Sequence, residues 1–465
     1  MSEPRTAQPA AGQIRSLRSR DGLHPIADED LQTAITERDG ELVASLFSSV
    51  HHADQARLIE QLDLDDRHFV LSSVQESFDP EILTELDDAV CAEMVHWLGP
   101  AKIAAAVTAL NTDDAVHIIE ELPAPLQQKI LAAVPDEVRE PVQRGLDFPA
   151  DSAGRLMQQA PVIAFADWSV GRTVNFIRDS ARMPDSLYDL YVVDAQNKPV
   201  GLVPVFKLLR AHRSDSIRSI METDLAIFNA NTDQEEVAMV FRNLDLVSAP
   251  VTDSRGQLLG IITVDDIVDV IDEEAEEDLM HMAGLQKDDL YRAAMETVRS
   301  RFSWLSINLV TAVLASLVIA LFQDTIGQIV ALAVLMPIVA SMAGNAGTQT
   351  MTVTVRALAM GELTDRSAMR LITKELVVGF VNGLLFSVMT GAVAGFWFGN
   401  PALGYIIAGA MIINLMVAGL AGTLVPLGLK RLGADPAIAS TVLLTTVTDV
   451  MGFLVFLGAA AIFLV

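Results

Sequence analysis

The chain has 465 residues, room for several domains, and carries 60 acidic against 32 basic side chains, a formal charge of −28. Such a balance repels a phosphate backbone and excludes nucleic acid as a partner. A single cysteine, Cys91, rules out an intrachain disulfide and fits a cytoplasmic soluble half, where it is expected as a packed helix residue.

Residues 301–465 hold seven basic and six acidic side chains, which leaves −29 on residues 1–300, so two physically different halves meet near Arg301. Residues 1–26 begin polar and arginine-containing with no apolar core, and are expected to be a disordered tail rather than a signal peptide. From 27 to 150 a short pattern repeats, a Leu-rich amphipathic stretch and then an acidic turn, as in "LIEQLDLDDRHFVLSSV" and "ILTELDDAVCAEMVHWL". Each unit is too short to bury its own apolar face, so the units are expected to stack into a helical superhelix. The acidic turns would supply helix N-caps such as Asp113.

From 151 to 271 the periodicity changes. The β-branched runs "LYVVDAQNKPVGLVPV" and "SAPVTDSRGQLLGIITV" each hold an Asp-initiated turn followed by a strand, and each is flanked by helical stretches. This internal duplication, with a period near 60, resembles a tandem pair of α+β CBS domains. In the second copy Gly260, Thr263 and Asp266 match the pattern in which a glycine opens the backbone while a hydroxyl and a carboxylate hold ribose and phosphate. A purely structural turn explains them as well. The first copy has Pro204 and Lys207 instead, so at most one nucleotide site is expected.

Residues 272–300 read as an acidic connector helix. Asp265, Asp266, Asp269, Asp272, Glu273 and Glu276 run at helical spacing toward the membrane half, followed by Glu277 and Asp278. Like charges four residues apart destabilise a helix, so divalent cations would favour compaction; a solvated acidic face is the plainer alternative.

A hydrocarbon core of roughly 30 Å needs about 20 helical residues. Five apolar segments meet that length, at about 302–322, 325–355, 373–398, 402–429 and 436–464. Arginines and lysines flank the first and occupy the second-to-third and fourth-to-fifth loops, which places the amino-terminal half in the cytoplasm and Val465 outside. Five helices are few to enclose a pathway alone, so a homodimer in lipid is expected. One ionisable residue can reach neither interface: Asp449, roughly 20 Å from the inner end of its helix at 1.5 Å per residue. Thr441, Thr445 and Thr448 form a hydroxyl stripe beside it, or bond back to their own helix. Asp435 reads as the N-cap of that helix, with Pro436 at its first position, while Glu375 and Asp324 are expected at interfaces. In "AGNAGTQT", Gly344 and Gly347 let backbones approach, but Asn345 and Gln349 call for a hydrated cavity. Amide and hydroxyl oxygens beside two symmetry-related aspartates suit Mg2+, which keeps several first-shell waters.

With "FPADSAGRLM", the acidic connector "DEEAEEDLMHMAGL", "AGNAGTQT", "GLAGTLVPLGLKRLGADPAIAS" and "TTVTDV" in this order, the chain from 27 to 465 resembles the MgtE family of magnesium transporters or channels. The resemblance implies a multidomain protein: a superhelical N domain, tandem CBS domains and a five-helix transmembrane domain in a bacterial inner membrane. It implies a dimer whose ion path is selected by Asp449 with Asn345 nearby. It also implies that cytosolic Mg2+ on the acidic domains shuts the pore, with Asp245, Asp266, Asp269, Glu274, Glu277 and Asp278 as regulatory ligands and an adenine nucleotide such as ATP as a further ligand of the CBS domains. Where the family pattern has Gly and Asn, Ala343 and Thr348 stand here, which leaves selectivity over Mn2+ and Co2+ open. Besides a gated passive pathway, a secondary Mg2+ exchanger and a membrane Mg2+ or nucleotide sensor fit the same residues. An enzyme is not expected, since all 8 histidines precede residue 300 and no nucleophile motif is present.

Overall fold

The computed structural model describes residues 25–465 apart from 121, 160, 181–186, 286–293 and 364. Most of the tail expected at 1–26 therefore lies outside the described residues. The rest divides into two compact units, one of residues up to 234 with 247–263, the other of 235–246 with 264–465.

The first unit opens with short helices from α1 (Pro25–Thr36) to α9 (Asp136–Leu146). Asp39, Asp63, Asp79 and Asp87 start successive helices, each accepting a backbone N–H two or three residues on. Each such cap contributes about 1 kcal/mol by satisfying a donor that the helix leaves over. Asp113 does not cap. It is the second residue of α7 (Thr112–Glu120) and buried, and the first intrahelical bond runs from the Ala115 N–H to the Asn111 carbonyl, so Asn111 holds the cap position. The helices pool their apolar faces into one core that includes Phe47, Ile59, Ile82, Met94, Ile103 and Ile130, with Cys91 packed in it. No single unit of the repeat could bury such a face alone.

Two small sheets follow. One has the order β2 (Ile163–Phe165), β3 (Asp189–Val193), β4 (Pro199–Pro204). The other runs β1 (Gln158–Gln159), β7 (Leu258–Thr263), β6 (Ser248–Thr252), β5 (Phe228–Asn229). In both, a parallel strand flanks an antiparallel hairpin. The hairpin turns repeat atom for atom. Asp194 accepts the Gln196 and Lys198 N–H groups, and 59 residues later Asp253 accepts those of Arg255 and Gln257. The left-handed position falls to Asn197 in one copy and Gly256 in the other. The copies are bridged where the Tyr191 and Ser248 hydroxyls meet at 2.6 Å and Ser248 donates to Asp189 at 2.8 Å. Burial pushes both the Asp189 carboxyl and the Tyr191 phenol up.

Only the second sheet carries β1, and this gives Gly260 a structural duty: a Cβ there would lie 2.5 Å from the Gln158 carbonyl. Gly260→Ala is expected to destabilise this sheet by about 1–3 kcal/mol, seen as earlier thermal unfolding of the purified protein.

The second unit contains α14 (Gln234–Leu244), the connector α15 (Val264–Ala283) and the apolar helices α16 (Ala294–Ala320), α18 (Ala331–Ala359), α19 (Asp365–Trp397), α20 (Pro401–Arg431) and α21 (Pro436–Phe463). The last five are long and apolar enough to cross a membrane. The second span starts at Ala331 rather than near 325, because Gln323–Gln328 forms a separate short helix, α17, bearing Asp324. Asp435 caps α21 through the Ala437 N–H at 2.7 Å, with Pro436 at the first position. Helix α20 is the most enclosed. Glycines let its neighbours approach: a Cβ on Gly404 would meet the Gly391 carbonyl of α19 at 2.5 Å, and one on Gly422 the Gly347 carbonyl of α18 at 2.7 Å. By contrast α16 leaves Phe302, Leu305, Leu309 and Leu317 exposed, a face for lipid.

Candidate ion pathway

Asp449 lies 13 residues into α21, about 20 Å from its amino-terminal end, and is half-buried. No snorkelling reaches water from there, so the carboxylate needs a wet surrounding or a cation. The threonines below it spend their protons locally. Thr445 donates to the carbonyls of Thr441 and Val442 at 3.0 and 3.1 Å, and Thr448, fully buried, to that of Leu444 at 3.0 Å. Thr441 instead reaches the Met282 carbonyl of the connector at 2.8 Å. A hydroxyl that donates in this way keeps its oxygen lone pairs, which is what a hard cation or its water shell requires.

Helix α18 has two unlike faces. Ser341, Asn345, Thr348 and Thr352, at i, i+4, i+7 and i+11, are exposed in the single chain, and Gln349 stands beside them. Gly344 on this side meets nothing within 4 Å. On the opposite face Ala343, Gly347, Thr350 and Thr354 are buried, and a Cβ on Gly347 would lie 2.8 Å from Leu444 of α21. The expectation that both glycines admit a neighbouring backbone therefore holds for Gly347 and not, within one chain, for Gly344. The amide-bearing stripe is the part of α18 that this chain's own helices leave uncovered.

Two buried polar groups escaped the sequence reading. Glu375, expected at an interface without special account, is only 8% exposed, and its Oε2 accepts the Thr350 hydroxyl at 2.8 Å. Asn414 of α20 is fully buried and donates through Nδ2 to the Val339 carbonyl of α18 at 3.2 Å. A lone amide in "IINLMVAGLAG" was the available signal for it.

The connector ends against α16, α18, α20 and α21. Its last turn closes with the Leu285 N–H on the Met280 carbonyl and Gly284 at φ 72. Any Cβ at Gly284 would overlap the Trp304 indole of α16. Met282 packs among Met351, Val355, Ala421, Ala437 and Leu444. His281 stands between Glu277 at 3.6 Å and Asp435 at 3.1 Å. Burial pushes the Asp278 carboxyl up, and Asp435 pushes it further. Asp435, read from sequence as a cap alone, thus also faces the connector.

The other regulatory candidates are spread along the second unit. Asp266 and Asp269 occupy the first two turns of α15, Glu274 lies one turn before Asp278, and Asp245 follows α14 with φ 51. Carboxylates in a first turn also suit the helix dipole. Thr263 ends β7 and is nearly buried, with Gln158 Nε2 3.4 Å from its hydroxyl. In the first unit, His52, Asp79 and Glu81 bring ligand atoms within 4.8 Å of one another, with His52 paired to Glu81 at 2.9 Å.

Comparison with known proteins converges on one family. Residues 336–459 match a divalent cation transporter model named MgtE, residues 50–151 the MgtE intracellular N domain, and residues 217–273 a CBS domain. The magnesium transporter MgtE of Bacillus subtilis is 30% identical over 436 residues, covering 94% of each chain. That of Thermus thermophilus is 30% identical over 441 residues, 93% of this chain and 98% of the relative. A crystal structure of the cytosolic domain of the Mg2+ channel MgtE in complex with ATP is 27% identical, covers 52% of this chain and 99% of its own, and superposes with a TM-score of 0.49.

Proposed function

The chain belongs to the MgtE family of magnesium transporters, a multi-pass membrane protein, and we propose that it is a passive Mg2+ pathway which cytosolic Mg2+ closes. The observation that carries this reading is the half-buried Asp449 at mid-depth of α21, beside a helix whose amide and hydroxyl stripe its own chain leaves uncovered. In the proposed homodimer the uncovered stripes and the two aspartates of the partners face a common wet channel, and Mg2+ is the cargo. Asn345, Thr441 and Thr445 contribute oxygen to its water shell. An inside-negative potential favours entry of a doubly charged ion by about 4.6 kcal/mol per 100 mV. The amino-terminal half is cytoplasmic and the carboxyl end outside, as the basic loops require.

Closure acts through the connector. Mg2+ held by Glu274, Glu277 and Asp278 with Asp435 fixes α15 against α21, where the Thr441–Met282 hydrogen bond and the Met282 contacts complete the docking. Asp245, Asp266 and Asp269 serve the same closed state on the cytoplasmic domains. A regulatory adenine nucleotide belongs to the second CBS copy in this reading, since Pro204 and Lys207 occupy the corresponding positions of the first.

Purified protein in liposomes with an internal Mg2+ dye tests the proposal. Uptake should rise with an imposed inside-negative potential. Uptake indifferent to potential but coupled to a counter-ion would identify an exchanger, and no uptake would leave a sensor.

A further inference from the structure

We propose that Asn414 is a positioning residue for Mg2+ passage: wedged between α18 and α21, it sets where α21 presents Asp449. The inference rests on the transport reading above. Asn414 lies 13 residues into α20, about 20 Å from the outer end and so near mid-depth. Its Nδ2 holds the Val339 carbonyl, six residues before Asn345 on α18. Its other side abuts Gly452, three residues after Asp449 on α21, where an added Cβ would lie 2.5 Å from Nδ2, 3.1 Å from Cγ and 3.3 Å from Oδ1. One carboxamide thus spaces the two helices that carry the pathway's oxygens.

Stability alone argues against an asparagine here. Its Oδ1 is sealed from solvent and has no hydrogen-bond partner among the described residues, and a buried acceptor left in that condition costs free energy. A leucine would remove that cost, but its two methyl groups are bulkier than the carboxamide and press on a backbone already in close contact. What leucine lacks is the anchor to Val339, which holds the side chain in one orientation, and the thin planar group that lies against a bare glycine backbone. A branched side chain at 414 therefore displaces α21, and Asp449 with it.

Full-length protein in liposomes separates this role from a merely structural one. Asn414→Leu should remain folded and monodisperse, while Mg2+ uptake falls about ten- to a hundredfold and the Mg2+ to Co2+ uptake ratio changes. Gly452→Ala should cause a similar loss. Combined with Asn414→Ala it should lose no more than the worse single variant, because both act on the same contact. Wild-type rate and ion ratio in Asn414→Leu would overturn the proposal. If that variant fails to fold, additive losses in the Asn414→Ala and Gly452→Ala pair would do so. A failure of the transport reading looks different: wild type and Asp449→Ala would then give the same uptake.

Discussion

Replacing Asp449 by alanine is expected to reduce Mg2+ uptake by about a hundredfold or more, with the protein still folded. An aspartate at the centre of a membrane helix costs at least about 2.5–3.5 kcal/mol of insertion free energy, so its removal should not unfold the domain. The loss would come from the pathway itself. In the proposed dimer two carboxylates would match the double charge of the cargo, and no other acidic residue of α18 or α21 lies within the span. Asp449→Asn keeps the shape and an oxygen but not the charge, and should be nearly as inactive. Dye-based flux beside size-exclusion profiles checks both variants. Uptake near the wild-type rate in either would remove Asp449 from the pathway.

Neutralising the connector should have the second-largest effect. With Glu274→Gln, Glu277→Gln and Asp278→Asn together, the internal Mg2+ needed to close the pathway should rise roughly tenfold or more, within the usual range of a coupling between two sites. Burial pushes the Asp278 carboxyl up, and the nearby negative charge of Asp435 pushes it further. Mg2+ supplies attraction between carboxylates, which amides cannot reproduce. The Thr441–Met282 bond, the His281–Asp435 contact and the Met282 packing would then be left to hold the connector. An unaltered closing concentration would take the connector out of the mechanism. Closure without any Mg2+ would mean that the carboxylates only repel and do not bridge.

Local chemistry was readable from the chain, and contacts distant in sequence were not. The Asp194 and Asp253 turns announce themselves because an aspartate and the amides it receives lie within four residues. Five membrane helices follow from runs of apolar residues. The start of α18 was misplaced because Thr325, Ile326 and Gly327 look like part of the hydrophobic run, and only the helix break near Ile329 separates them. Gly260 was read only for a ligand or a turn, because its contact with β1 lies a hundred residues earlier in the chain. Glu375 and Asn414 were missed for the same reason: their partners, Thr350 and Val339, are 25 and 75 residues away. Asp435 was recognised for the bond to its own helix and not for its second face toward His281, 154 residues off.

The threonines along α18 and α21 have one more consequence. Thr348, Thr352 and Thr445 hand their hydrogens to their own helix backbone, and Thr441 to the connector. Their hydroxyls thus offer chloride or phosphate no proton to grip, which leaves proton donation along the stripe to side chains such as the amides of Asn345 and Gln349.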